Sequence, residues 1–213
     1  MLINNLLISE NICKVIKKIT PAHLLYLSSD AVYADSSDLL SENSCAEPSS
    51  IHGIMHYARE IMLKNIYKGK MCIVRPTLVY GKNDPHNGYG PNRFIKLVKK
   101  GKNITLFGKG EELRDHIWVH DVADIIIKLI LFKKNGIFNL VTGKVISFKK
   151  IATEIVKKSN EKFKKEKSIK ILYRKRTGPM PHRGWRAFKQ SYFKKVLPNF
   201  RFKSFNEVLP KLI

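Results

Sequence analysis

Cysteine is scarce in this sequence: Cys13, Cys45 and Cys72 stand far apart, and no CxxC pair occurs. An odd, scattered set excludes a disulfide scaffold and a zinc finger, and suits reduced thiols in the cytoplasm. Long apolar runs are missing too. The N-terminal stretch MLINNLLISENICKVIKK has Leu6, Leu7 and Ile8 as its longest, and Glu10 soon interrupts it. Nothing approaches the ~18 consecutive apolar residues of a membrane helix, and no secretory leader is expected. Acidic residues are few, 17 against 40 basic ones, for a net charge of +23. That charge attracts phosphate in principle. It is mostly lysine spread along the chain, however, and the densest run, Lys157 to Lys175, has few aromatics. With no RNP, HTH or KH pattern, nucleic-acid binding is not expected, and the charge suits an anionic small substrate. Glycine is late: the first is Gly53.

What is present is a core. Hydrophobic residues make up 44% of 213, enough for one core or one domain with a small appendage. Ile3, Leu7, Ile12, Val15 and Ile19 recur at near-helical spacing until Pro21 stops them. His23 to Leu27 reads as a buried strand that feeds a loop at Ser28-Ser29, and residues 34–50 read as loop. Ser50 is placed to cap a helix with Ile51, Met55, Ala58, Met62 and Ile66 on one face. Met71 to Val74 is a second buried strand, closed by Arg75-Pro76. Helix, strand, loop, helix, strand is the order of a doubly wound parallel sheet. Residues 82–92 are turn-rich. Helices are predicted at 92–100, 119–133 and 147–158, short strands at 104–107, 137–140 and 169–172, and a loop over 174–187. No internal repeat appears.

Three segments carry a resemblance. Tyr26-Leu27-Ser28-Ser29-Asp30-Ala31-Val32-Tyr33 is similar to a strand-end S/T-x-x-V-Y motif. Arg75-Pro76-Thr77-Leu78-Val79-Tyr80-Gly81 is similar to an R-P-x-x-V-Y-G turn. Phe107 to Glu111, Arg114-Asp115 and Val119-His120-Asp121-Val122-Ala123 follow G-x-G-x-x-x-R-D-x-x-x-V-x-D-V-A, with Phe138-Asn139-Leu140 and Gly143 after them. In order and spacing they resemble the extended short-chain dehydrogenase/reductase family, the nucleotide-sugar epimerases and dehydratases. The resemblance implies an α/β fold: an incomplete Rossmann-like doubly wound parallel sheet with a small C-terminal α/β substrate domain. Residues 1–81 would be the C-terminal part of the cofactor domain with its catalytic segment. Residues 82–213 would be the substrate-binding portion, interleaved with the last sheet elements. It also implies NAD or NADP, a nucleotide-sugar or related anionic small molecule as substrate, a soluble protein, and room for a homodimer.

The departures from the pattern matter as much. A pyrophosphate needs a Gly-rich turn between a strand and a helix N-terminus. Gly88-Tyr89-Gly90 and Gly108-Lys109-Gly110 do not follow a buried strand in the right order. The expectation is a chain that starts about three βα units late, roughly 80–100 residues, through a truncated frame, a wrongly assigned start or a split gene. The family's Y-G-x-x-K-x-x-x-E falls on His52-Gly53-Ile54-Met55-His56-Tyr57-Ala58-Arg59-Glu60, with Gly and Glu kept and both Tyr and Lys replaced by His.

Two readings of the pair stay open. In one, His52 is the acid/base, since an imidazole with an ordinary pKa near ~6.5 moves protons near neutrality. His56 then orients it or bonds the cofactor ribose, and Ser29 holds the substrate oxygen. In the other, both histidines are relics in a non-catalytic remnant or binding protein, completed by a separately encoded N-terminal half. The i, i+4 spacing also fits a zinc helix, with Asp30 or His86 as a third ligand, but the Glu after the first His is missing, so no metal is expected. Asp30 matches a dehydratase acid whose usual following Glu is Ala31 here, which favours epimerisation or reduction over dehydration; it equally suits a loop cap. By resemblance Ser28, His56, Pro76 and Thr77 face the cofactor, and Asn92, Arg93, Phe94, Arg114 and Arg183 face the substrate. Arg114 and Arg183 would meet a diphosphate, for which a guanidinium fork is suited. Leu78 stands where the family's turn has Asn. Asp115 reads as structural.

Overall fold

The structure is a computed structural model that describes residues 2–85, 88–163 and 168–213. The chain opens with α1 (Leu2–Ile19) and continues through β1 (Leu24–Leu27) into a 3-10 turn, Asp30–Val32. Then come α2 (Ile51–Ile66), β2 (Met71–Pro76), β3 (Leu78–Tyr80), α3 (Pro91–Lys99), β4 (Ile104–Phe107) and β5 (Leu113–Trp118). After these follow α4 (Val119–Leu131), β6 (Gly136–Leu140), β7 (Val145–Ser147), α5 (Phe148–Phe163), β8 (Ile171–Arg174), β9 (Trp185–Arg186), α6 (Ser191–Val196) and α7 (Phe205–Leu212).

The principal sheet is parallel, in the order β1-β2-β6. Its register pairs Leu24 with Met71 and Val74 with Phe138. Helix α2 crosses from β1 to β2, and such parallel neighbours need a crossover of this kind. In β2 the run Met71 to Arg75 is buried throughout, as expected of a strand with both faces covered. A second sheet joins β3 to β5 in parallel, β5 to β7 antiparallel and β5 to β9 in parallel. A third pairs β4 with β8. One apolar cluster lies under the principal sheet around Val74, Ile125, Leu129 and Phe138. A larger one joins α3, α5, α7 and β4 through Phe94, Val98, Leu106 and Ile151.

Several expectations need correcting. Residues Leu2–Ile19 form α1 as the spacing predicted, but the stripe Ile3, Leu7, Ile12, Val15 and Ile19 is exposed, Ile3 at 70% and Ile19 at 66%. The helix packs on α2 through Ser9, Cys13 and Ile16 instead. It is apolar on more than one side, so periodicity selects no single face. On α2 the buried residues are Gly53, Met55, Glu60 and Leu63, while Ile51 is exposed. Strand β5 was not expected at all, because its centre is the polar series Arg114, Asp115, His116, all buried. The supposed loop 174–187 contains β9 and a 3-10 turn, Pro181–Gly184, in which His182 and Arg183 take positive φ. Among the described residues no helix is long and apolar enough to cross a membrane.

Candidate active site

The carboxyl ends of β1, β2 and β6 converge. Ser28 N–H donates to the Val74 carbonyl at 2.8 Å and Thr77 N–H to the Leu140 carbonyl at 3.2 Å, so Ser28-Ser29, Pro76-Thr77 and Leu140 share one rim. A crevice outside the carboxyl ends of parallel strands is where open α/β sheets place their ligands. Helix α2 is driven against this rim. Ser50 caps it by accepting from Gly53 N–H at 3.1 Å. A Cβ on Gly53 would lie 2.1 Å from the Ala31 carbonyl oxygen, so only glycine lets the helix sit this close to the turn after Ser29. That approach sets the first turns of α2, which carry His52 and His56, against the turn after Ser29, while Glu60 on the same helix accepts from the Ser28 hydroxyl.

The two imidazoles meet edge to face, with ring centroids 4.6 Å apart. His52 is exposed at the helix start. His56 is half-buried, and its Nδ1 lies 3.3 Å from the Tyr26 hydroxyl. Burial, with Arg59 and His52 nearby, lowers the His56 pKa to about 4, so this ring is neutral at pH 7. It therefore brings no positive charge to its neighbour. Ser29 Oγ accepts from Ala31 N–H at 3.1 Å.

Beneath them is a pair that the motif contained but did not explain. Glu60, fully buried, takes Arg75 Nε at 2.9 Å and Nη2 at 2.6 Å, and accepts from Ser28 Oγ at 2.6 Å. The Ser28 hydroxyl is thus engaged with Glu60. Arg75 also lies over the Tyr33 ring, 4.8 Å from its centroid, and Tyr33 donates to Asn139 Oδ1 at 2.8 Å. An arginine closing a buried apolar strand has to find a carboxylate, and that was the signal available in MCIVRP.

The remaining site residues fall as follows. Asp30 Oδ2 accepts from Arg186 Nε at 3.0 Å; Arg186, 3% exposed, also donates to the Tyr33 carbonyl and to Asp35, while His182 pairs with Asp35. Asn92 Oδ1 caps the Gly81 N–H at 3.0 Å, tying α3 to the turn after β3. Phe94 is in the core, 1% exposed, while Arg93 and Arg183 are exposed. Arg114 is buried, with Nε and Nη2 on Glu112 Oε1 at 2.9 and 2.6 Å, and Arg176 reaches the other oxygen at 3.3 Å. Asp115 accepts from Thr142 N–H, Thr142 Oγ1 and Gly143 N–H, the structural role its motif suggested. Thr77 Oγ1 donates to the Asp115 carbonyl at 3.2 Å. His86 lies outside the described residues. Among those described, no group of three or more potential metal ligands occurs.

Buried histidines give the fold an acid limit. His116 is 6% exposed, and burial lowers its pKa to about 3. With His56 at about 4, the unfolded chain binds more protons than the folded one from about pH 6.5 down to these values, so stability falls as pH falls through that window. Asp115 opposes them: burial raises its pKa to about 6, and its contribution is present at low pH and lost as pH rises through 6. Comparing parent with His116→Phe isolates one group. The variant's melting temperature should fall less between pH 7 and pH 5 than the parent's. Parallel curves would mean that His116 is not buried neutral.

The comparisons agree with this geometry. Residues 1–140 match the family model described as NAD dependent epimerase/dehydratase family. Among solved structures, a UDP-N-acetylglucosamine 4-epimerase from Methanobrevibacter ruminantium is similar at 22% identity and a TM-score of 0.78, over 97% of this chain and 68% of that one. A UDP-glucuronic acid 4-epimerase from Bacillus cereus, in complex with UDP-glucuronic acid and NAD, gives 22% and 0.78 over 97% and 65%. An NAD-dependent NDP-hexosamine 5,6-dehydratase involved in tunicamycin biosynthesis gives 16% and 0.82 over 97% and 66%. The chain therefore spans about two thirds of the length of these structures, and at such identities they establish the fold. Strand-end serine, R-P turn, G-x-G-x-x-x-R-D strand and family match together show that this chain belongs to the NAD-dependent epimerase/dehydratase family.

Proposed function

We propose that this chain supplies the nicotinamide-facing and sugar-facing side of an NAD(P)-dependent sugar-nucleotide epimerase or related enzyme. What supports the reading is the close seat of α2 on the turn after β1, where Gly53 lies against the Ala31 carbonyl and His52 and His56 on the same helix pack against each other. The residues fit one end of the cofactor. Thr77, Pro76 and the neutral His56 border the rim that a nicotinamide ribose would occupy. They do not fit the other end, because the sequence has no Gly-rich strand-to-helix turn for a pyrophosphate. Reversible removal of a hydride from a sugar carbon is the chemistry such a cofactor supplies. Ser29 would hold the sugar oxygen, and His52 would take and return its proton. Arg93 and Arg183, exposed and cationic, are the residues we assign to the nucleotide diphosphate; Arg114 reaches it only if Glu112 releases it.

Calorimetric titration of the chain with NADH and NADPH tests the reading. Without backbone donors for the pyrophosphate, the dissociation constant is expected no tighter than ~1 mM, while UDP-glucose binding should weaken on Arg93→Ala or Arg183→Ala. Micromolar NADH affinity would mean that the pyrophosphate is held in another way. Failure of both arginine variants to alter UDP-glucose binding would remove the substrate assignment.

A further inference from the structure

A groove outside the candidate active site has a chemistry that the proposed reaction does not use. It lies between the Thr142–Ser147 segment, α6 and the N-terminal turn of α7, and encloses about 1040 Å³. Lys144, Lys150, Lys194, Arg201 and Lys203 line it, against the single carboxylate of Glu207. Glu207 is already engaged: Arg201 Nη2 donates to it at 2.7 Å and Ser204 N–H at 2.8 Å, closing the capping box of α7. The four lysine side chains are exposed, and among the described residues none has a carboxylate within ion-pair distance. Val145, Ile146, Phe202 and Phe205 give the same groove an apolar wall. His116 is in that wall too, and its Nε2, shut off from solvent, makes no hydrogen bond. None of the lining residues is one of those assigned to the reaction.

We propose that this groove is a second ligand site that takes an organic molecule ending in a free di- or polyphosphate, more highly charged than the internal diphosphate of NADH or UDP-glucose, on an apolar or aromatic body. Lys144, Lys150 and Lys194, with Lys203 beside Glu207 and Asp121, gather positive charge around one cavity that suits such an anion, and lysine binds phosphate as a point charge that needs no fixed fork. The apolar wall distinguishes such a ligand from an inorganic anion, which would leave it uncovered. A single-stranded polynucleotide is the poorer fit. It needs aromatic faces open for stacking, whereas Phe205 is 8% exposed and Phe202 packs its ring 5.1 Å from both Phe193 and Phe200.

Calorimetry on the full chain with ADP, inorganic pyrophosphate and a short single-stranded RNA tests this. ADP should bind saturably and more tightly than pyrophosphate. Lys150→Glu combined with Lys194→Glu reverses two exposed charges without touching the core, and should weaken ADP by ~10-fold or more, with an unchanged melting temperature in the absence of ligand. Lys64→Glu, an exposed charge reversal on α2 far from the groove lining, should leave ADP affinity as it was. The proposal is overturned by any of four results: no saturable ADP binding, equal ADP and pyrophosphate affinity, equal affinity in parent and lysine variant, or RNA binding far tighter than ADP through the same lysines. Loss of ADP binding in Arg93→Ala with the lysine variant unaffected would place the nucleotide at the candidate active site instead.

Discussion

Replacing Glu60 by alanine is expected to destabilise the fold by about 3–5 kcal/mol, the usual cost of leaving one partner of a buried ion pair unmatched. The Glu60 and Arg75 side chains are 0% and 3% exposed, and their two contacts are fork-like, at 2.9 and 2.6 Å. Glu60→Ala would strand a guanidinium at the end of β2 with Tyr33 as its remaining neighbour, and would remove the acceptor of the Ser28 hydroxyl. The converse holds for the pair as a unit. Replacing both by methionine removes two desolvated charges together and should recover most of the loss, since buried pairs often contribute little beyond their apolar substitutes. Urea unfolding reads both variants, with an unchanged slope required for the comparison. A Glu60→Ala loss below about 1 kcal/mol, the range of exposed pairs, would mean that water reaches the pair.

This pair also shows where sequence reading stops. Local signals were legible. Ser50 caps α2 as its position suggested, β4 occupies residues 104–107, and the two strand-end motifs close the parallel strands β1 and β2. The family pattern followed from those same segments. Pairings between distant residues were not legible. Arg186 meets Asp30 across 156 positions, and no local pattern marks arginine at 186 as different from its exposed neighbour at 183. Strand β5 hides behind its own polarity. A rule that seeks apolar alternation passes over Arg114, Asp115 and His116, because each polar group finds its partner elsewhere: Glu112 for the first, the Thr142 and Gly143 amides for the second, the Arg114 carbonyl for the Nδ1 of the third. The face of α2 was legible in part, since Met55, Met62 and Ile66 do pack inward while Ile51 does not, and the rest was missed for a related reason. Hydrophobic periodicity gives no weight to Gly53 and counts Glu60 as exposed, yet the close approach of one and the ion pair of the other set which face is buried.

In a protein that joins this chain to a Gly-rich βαβ unit, on one polypeptide or two, His52→Ala is expected to lower sugar-nucleotide turnover by ~10²–10⁴-fold, the usual worth of a positioned acid/base. KM should change little, because His52 would act on the proton and not on the diphosphate. The structure separates the two histidines. His56 is neutral at pH 7, held near 4 by burial, and faces the Tyr26 hydroxyl; His52 is exposed where α2 meets the turn after Ser29. His56→Ala should therefore cost less than His52→Ala. The same neutrality decides the outcome of restoring the family's tyrosine. His52→Tyr alone should stay slow, since a neutral imidazole supplies no charge to lower a phenol's pKa. His52→Tyr with His56→Lys puts an ammonium one helical turn away, and should recover activity that the single variant lacks. Ser29→Ala should also impair turnover, through loss of the hydrogen bond to the sugar oxygen. Steady-state kinetics on the parent and the five variants checks the set. Equal kcat in parent and His52→Ala would move the proton transfer to another residue, and a His52→Tyr variant as fast as the parent would show that His56 is charged in the working site.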